Sequence, residues 1–323
     1  MIRTFLTQEW GLRYPIVGAP MAGAAGGALA GAISEAGGLG LIGVGAVTPD
    51  WVKNEAALAG AGGRRFGIGL LGWMLPQRPE LLDAAIAAAP FVLSICFPLE
   101  AEIARRIKST GIKLVTQVSS AAQARAAQAM GVDLIVAQGT EAGGHSSAVA
   151  VGTMVAMQTI LDAVQTPVIV AGGIATARAI AAVIVAGAEG AWIGSAFLAT
   201  PESTFDDLQK DRVIAADETS TFLSVVFDRA RKSPWPGAYP GRALRNHFSE
   251  QWHGREEELE RDASALAQFD AAARERDYDV AQVWVGQAAG LIRKLQPAGE
   301  IVRDLGEAAE VALRSRLGAV LSR

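Results

Sequence analysis

PVIVAGGIATARAIAAVIVAGAEGAWIG, residues 167–194, reads as one complete β/α unit followed by the strand of the next. The run at 167–173 is apolar without polar alternation, the pattern of a strand covered on both faces. A glycine pair, Gly172 and Gly173, ends it; a helical stretch over 176–186 follows, and a second apolar run stands at 190–194. Strands joined through a helix pair in parallel. Working outward, the same alternation recurs. Apolar runs at 15–19, 38–43, 65–71, 91–96, 112–118 and 134–138 bring the total to eight, with helical patterns such as 121–130 between them. Eight consecutive β/α units predict an α/β fold of the TIM (β/α)8 barrel type. A doubly wound sheet is the alternative, but no G-x-G-x-x-G follows the first run, so a Rossmann reading lacks its best support.

Composition agrees with a large packed domain. Of 323 residues, 50% are hydrophobic and 19% charged, with 36 glycines, which excludes disorder as the main state and suits tight helix–strand packing. The net charge of −4 lacks the basic excess of a nucleic-acid binder. A lone cysteine, Cys96, excludes a disulfide framework or a cysteine-rich metal site and fits a reducing compartment. No apolar stretch reaches the roughly 18 residues of a membrane span. The N-terminal MIRTFLTQEWGLR regains charge too soon for a signal peptide, so the expected location is the cytoplasm.

After Thr200 the texture changes to charge-dense helical stretches, 256–262 and 270–279, and a loop at 232–242 holding three prolines and two glycines. The expected organisation is a barrel over 1–205 plus about 283–323, with a helical insertion or lid over about 206–282. The apolar segment VWVGQAAGLI, 283–292, is expected to return to the barrel mouth, and 299–321 to form a closing amphipathic helix. The basic residues Arg229, Arg231, Lys232, Arg242 and Arg245 read either as a lid over an anionic ligand or as a solvated face.

Chemistry in such a barrel belongs at the C-terminal strand ends. Ala19-Pro20-Met21 follows the first run, where small residues and a proline bring backbone close to something flat. Gly172-Gly173 and Gly194-Ser195 end the seventh and eighth runs, where exposed backbone N–H groups and helix N-termini suit a phosphate. Gln138-Gly-Thr-Glu-Ala-Gly-Gly-His145 places a histidine at the tip of a glycine-rich loop, able to take or give a proton near neutral pH. Its bland reading is a loop histidine satisfied by carbonyls. His247 and His253 lie in the charged appendage. No second ligand stands at metal-binding spacing beside His145, so no metal site is expected. Phe97, Trp73, Met74 and Trp284 read as pocket walls or as core.

GAPMAG at 18–23, AQGTEAGGH at 137–145, AGGIA at 171–175 and WIGSAFLATPES at 192–203 together resemble the FMN-dependent nitronate monooxygenases, also called 2-nitropropane dioxygenases. The resemblance runs from about residue 5 to residue 205. It implies that the backbone of Ala19, Pro20 and Met21 lines the flavin ring and that Gln117 and Gln138 bond the flavin. Gly143 would approach the ring, and Gly172, Gly173, Gly194 and Ser195 would grip the FMN phosphate with backbone from Trp192 and Ile193. His145 matches the proposed catalytic base. One position departs: many members carry an asparagine where this chain has Gly69, so a flavin contact there would fall to backbone.

The implied reaction oxidises alkyl nitronates, and nitroalkanes after His145 removes a proton, using O2 and yielding a carbonyl compound and nitrite. Flavin-dependent enoyl-acyl-carrier-protein reductases and NADH:quinone reductases carry similar barrels. An NAD(P)H-dependent reductase acting on a quinone or an enoyl thioester therefore stands as the alternative. A non-enzymatic flavin-binding module is a further reading, as is a purine-nucleotide dehydrogenase relative, which would need a cysteine on the His145 loop. A homodimer is compatible with the apolar tail.

Overall fold

The structure, a computed structural model, describes residues 2–321. Residues 322 and 323 of the expected closing segment lie outside the described residues. All eight apolar runs form strands: β1 (Ile16–Gly18), β2 (Leu39–Gly43), β3 (Gly67–Leu71), β4 (Val92–Cys96), β5 (Lys113–Val118), β6 (Leu134–Gln138), β7 (Val168–Ala171) and β8 (Ala191–Ile193). Each pairs in parallel with the next, and β8 returns to β1 with Ala191 opposite Ile16, so the sheet closes as a TIM barrel.

The two-residue period of a strand sorts its side chains into two layers. Val17, Leu41, Val92, Val115, Val136, Ile169 and Trp192 pack together inside the barrel with Leu6, Trp10 and Leu12 of the N-terminal segment. Their neighbours Ile42, Ile68, Leu93, Leu114 and Ile135 belong instead to the shell between strands and helices. Carried to the C-terminal ends, the inward period places Gln117 above Val115 and Gln138 above Val136. Helices alternate with the strands, and some begin on side-chain caps: Ser120 and Thr176 accept from Gln123 N and Ala179 N. The last helix, Ala298–Leu321, packs on helices Gly27–Glu35 and Ala177–Val185 and completes the ring. Ala298, Val302 and Ala309 are its buried contacts.

The segment after Thr200 is helical, as its charge pattern suggests, and it also carries a small sheet. Strands β9 (Thr221–Ser224) and β10 (Gly241–Leu244) pair antiparallel, and the two-residue strand Gly144–His145 joins the edge of β10 with His145 opposite Gly241. Below this sheet Phe222, Phe227, Phe248, Trp252 and Phe269 form an aromatic core. The appendage therefore grips the histidine loop directly.

Candidate active site

One cavity of about 1090 Å³ opens at the C-terminal end of the barrel. It gathers Ala19, Pro20 and Met21 after β1, Gln117 on β5, Gln138 on β6, Gly143 and His145 on the loop after β6, Gly172 and Gly173 after β7, and Trp192, Gly194 and Ser195 at β8. Two expected residues are not on its lining. Ile193 points out into the helix layer, one step off the inward period of Trp192. Gly69 is buried under Pro20: a Cβ there would lie 2.3 Å from Pro20 Cγ, so the proline ring fills the space a side chain would need. That leaves only backbone for the flavin contact expected at Gly69.

The turn after β7 holds Gly172 at φ 109° and Gly173 at φ 71°, backbone conformations that L side chains rarely adopt. The nine-residue helix Ala177–Val185 starts four residues later, so its positive end faces the same region. Ser195 Oγ accepts from Gly286 N at 2.9 Å, which leaves its own O–H to donate. Gln138 Nε2 donates to the carbonyl of His145 at 3.2 Å, while its buried Oε1 has no partner among the described residues. A buried carbonyl oxygen without a donor is costly, and a ring N–H of a flavin would satisfy it. These features fit FMN: a glycine turn and a serine for the phosphate, and a free amide oxygen for the ring.

His145 lines the cavity with little exposure. Its Nε2 lies 2.9 Å from Oδ2 of Asp228, a carboxylate only 4% exposed on the short helix Val226–Ala230. Trp235 stacks on the imidazole, ring centroids 3.5 Å apart and planes within 6°. Trp73, Phe97 and Tyr239 pack around Trp235, and Trp284 closes the other side of His145 at 5.0 Å. Trp73, Met74, Phe97 and Trp284 thus serve as cavity walls. Cys96 also faces the cavity, and burial pushes its thiol up to about 12, so it stays protonated and behaves as a small apolar group.

The basic residues of the appendage scatter. Arg231 reaches the cavity lining, Arg229 pairs with Glu260, Arg245 lies over the Phe222 ring, and Arg242 is buried, donating to Thr140 O and Thr221 Oγ1. What covers His145 from this loop is the aromatic Trp235.

A family profile for nitronate monooxygenase matches residues 3–71 and 80–308. The chain belongs to the nitronate monooxygenase family. Nitronate monooxygenases are flavin-dependent oxidoreductases, in keeping with the cavity described above. A probable nitronate monooxygenase of Staphylococcus aureus (strain MSSA476) is 29% identical over 348 residues, which cover 93% of this chain and 95% of the relative. Among solved structures, FabK from Thermotoga maritima superposes with a TM-score of 0.85 at 29% identity, covering 99% of this chain and 100% of that one. A nitroalkane oxidase from Streptomyces ansochromogenes superposes with a TM-score of 0.80 at 29% identity, covering 95% of this chain and 98% of that one. Among the described residues no helix is long and apolar enough to cross a membrane.

Asp228, Trp235 and Gly286 were not legible as site residues. Asp228 is 83 residues from His145 and carries no motif of its own. Glu141, inside the histidine loop, also gains a role only in three dimensions: its carboxylate accepts from Thr153 N at 2.8 Å and caps the helix Thr153–Leu161, fixing the loop's far end.

Proposed function

We propose that this chain is an FMN-dependent nitronate monooxygenase that oxidises alkyl nitronates, and neutral nitroalkanes after deprotonation, with O2 to carbonyl compounds and nitrite. The observation that carries this reading is the placement of His145, the one histidine on the cavity lining, within the same opening as the glycine turns suited to FMN. FMN, when bound, supplies the electron chemistry.

The protein's own part is position, exclusion of water and proton movement. Gly172, Gly173 and Ser195 would hold the phosphate, Gln138 the ring, and the backbone of Ala19–Met21 its edge. Trp73, Phe97, Trp235 and Trp284 make a dry wall around the reacting carbon, where a charge is screened less than in water. Neutral His145 takes the acidic proton beside a nitro group; a preformed nitronate needs no such step.

Replacing His145 by Ala tests the assignment. Turnover of a neutral nitroalkane should fall by about 10²–10⁴-fold, the usual contribution of a positioned base, with a much smaller loss on the nitronate. Equal losses on the two substrates would remove the base role. The likeness to FabK also accommodates a second reading, in which NADH or NADPH reduces the flavin for a quinone or enoyl thioester and His145 gives a proton instead of taking one.

A further inference from the structure

The appendage contributes one group to the opening that neither the sequence motifs nor the family match assigns. We infer that Asp228 is a positioning residue: its carboxylate fixes the proton of His145 on Nε2 and so makes Nδ1 the atom that accepts the substrate proton. This inference rests on the proton-abstraction reading above.

Three observations carry it. Asp228 is almost fully buried, and the partner of its Oδ2 is Nε2 of His145 at 2.9 Å. No arginine or lysine among the described residues pairs with it, and its Oδ1 is buried without a partner. A buried carboxylate so sparsely satisfied is expensive. It lies in the first turn of the short helix Val226–Ala230, whose N-cap is Val225, and neither carboxylate oxygen accepts from a helix N–H among the described residues. The other charged groups on the cavity are committed or peripheral, with Glu141 bound to Thr153, Arg78 to Glu80 and the Val47 carbonyl, and Arg231 at the rim.

An ionised carboxylate only accepts hydrogen bonds, so the imidazole nitrogen facing it must carry the proton. The lone pair is then left on Nδ1, which has no hydrogen-bond partner among the described residues. Trp235, stacked on the imidazole face, stops the ring from turning about its last bond. When the substrate reacts, its α C–H bond breaks, an Nδ1–H bond forms, and the electron pair delocalises into the nitro group. The imidazolium produced lies against the Asp228 carboxylate, which stabilises it, the division of labour seen in the His–Asp part of serine-protease triads.

The test uses the purified holoenzyme labelled with 15N-histidine. The chain has three histidines, so the His145 signals follow from their loss in His145→Gln. Neutral His145 should show the Nε2–H tautomer; an Nδ1–H tautomer overturns the inference, and this reading needs no Asp228 variant to fold. In Asp228→Asn, kcat on a neutral nitroalkane should fall by about 10²–10⁴-fold with KM little changed, against less than about tenfold on the nitronate. Equal loss on both substrates, as a purely structural role would give, overturns it. Failure of the proton-abstraction reading looks different: His145→Ala then shows no selectivity between the substrates while the Nε2–H tautomer remains.

Discussion

Gly143 is the point where the histidine loop meets the returning segment, and Gly143→Ala measures how tightly the two are fitted. A Cβ at this position would lie 2.3 Å from Gly286 N, 2.5 Å from Val285 C and 2.9 Å from Val285 Cα, all backbone atoms. Its φ is not among the positive ones, so the effect is steric and not conformational. Restoring ordinary contact requires the 285–286 backbone to move by about 1 Å. That movement would break the Gly286 N–H bond to Ser195 Oγ at 2.9 Å and weaken the Gln287 N–H bond to Glu141 O at 3.0 Å. Overpacking costs about 1–3 kcal/mol and each lost bond about 0.5–1.5 kcal/mol, for a total of about 2–6 kcal/mol. In a chain of this size the thermal midpoint should drop by roughly 3–9 °C, and FMN affinity should fall with it because Ser195 loses its anchor. Gly144→Ala is the control: its φ of +68° strains an alanine by about 1–2 kcal/mol, but a Cβ there meets nothing within 4 Å. Differential scanning calorimetry on both variants decides. A larger drop for Gly144→Ala, or a Gly143→Ala midpoint within about 2 °C of the parent, would refute the steric account.

Two further outcomes follow from the packing. Phe227 is 2% exposed among Phe222, Phe248, Phe269 and Trp284, so Phe227→Ala should cost about 3–5 kcal/mol in denaturant unfolding, whereas a loss below about 1 kcal/mol would show that the appendage core collapses around the gap. The Cys96 thiol, raised from 9.0 to about 12 by burial, should resist iodoacetamide at pH 8 in the native protein and react readily once unfolded; equal rates in the two states would contradict its burial. Because the folded state binds the proton more tightly, Cys96 should also lower stability as pH rises from about 9 toward 12, and the slope should be shallower in Cys96→Ala, where only the raised tyrosines Tyr14, Tyr239 and Tyr278 remain to contribute.

The barrel was legible because its signal is local and repeated, each strand being a short apolar run closed by a turn; Gln117, Gln138 and Trp192 were expected at the site only from the family resemblance, and the strand period of the fold turns them toward the cavity. Gly69 and Ile193 show where that reading stops. Ile193 is one residue out of phase with Trp192, so its side chain faces the helix layer and only its backbone is left for the flavin contact that the family motif implies. Gly69 is in phase, yet the space above it belongs to Pro20, which arrives from a loop two strands away. Strands β9 and β10 have four residues each and gain their edge partner from Gly144–His145, so no local pattern announces them. Asp228 and Trp235 are invisible for the same reason: their roles exist only once that sheet brings the appendage onto the histidine loop.

The central claim is that a flavin in this cavity takes electrons from a nitronate. The visible spectrum of the purified protein, followed anaerobically after adding propyl-2-nitronate and, separately, NADH, tests it most directly. The account predicts flavin peaks that bleach with the nitronate and persist with NADH. Bleaching by NADH alone, or a colourless protein that takes up no added FMN, would contradict it.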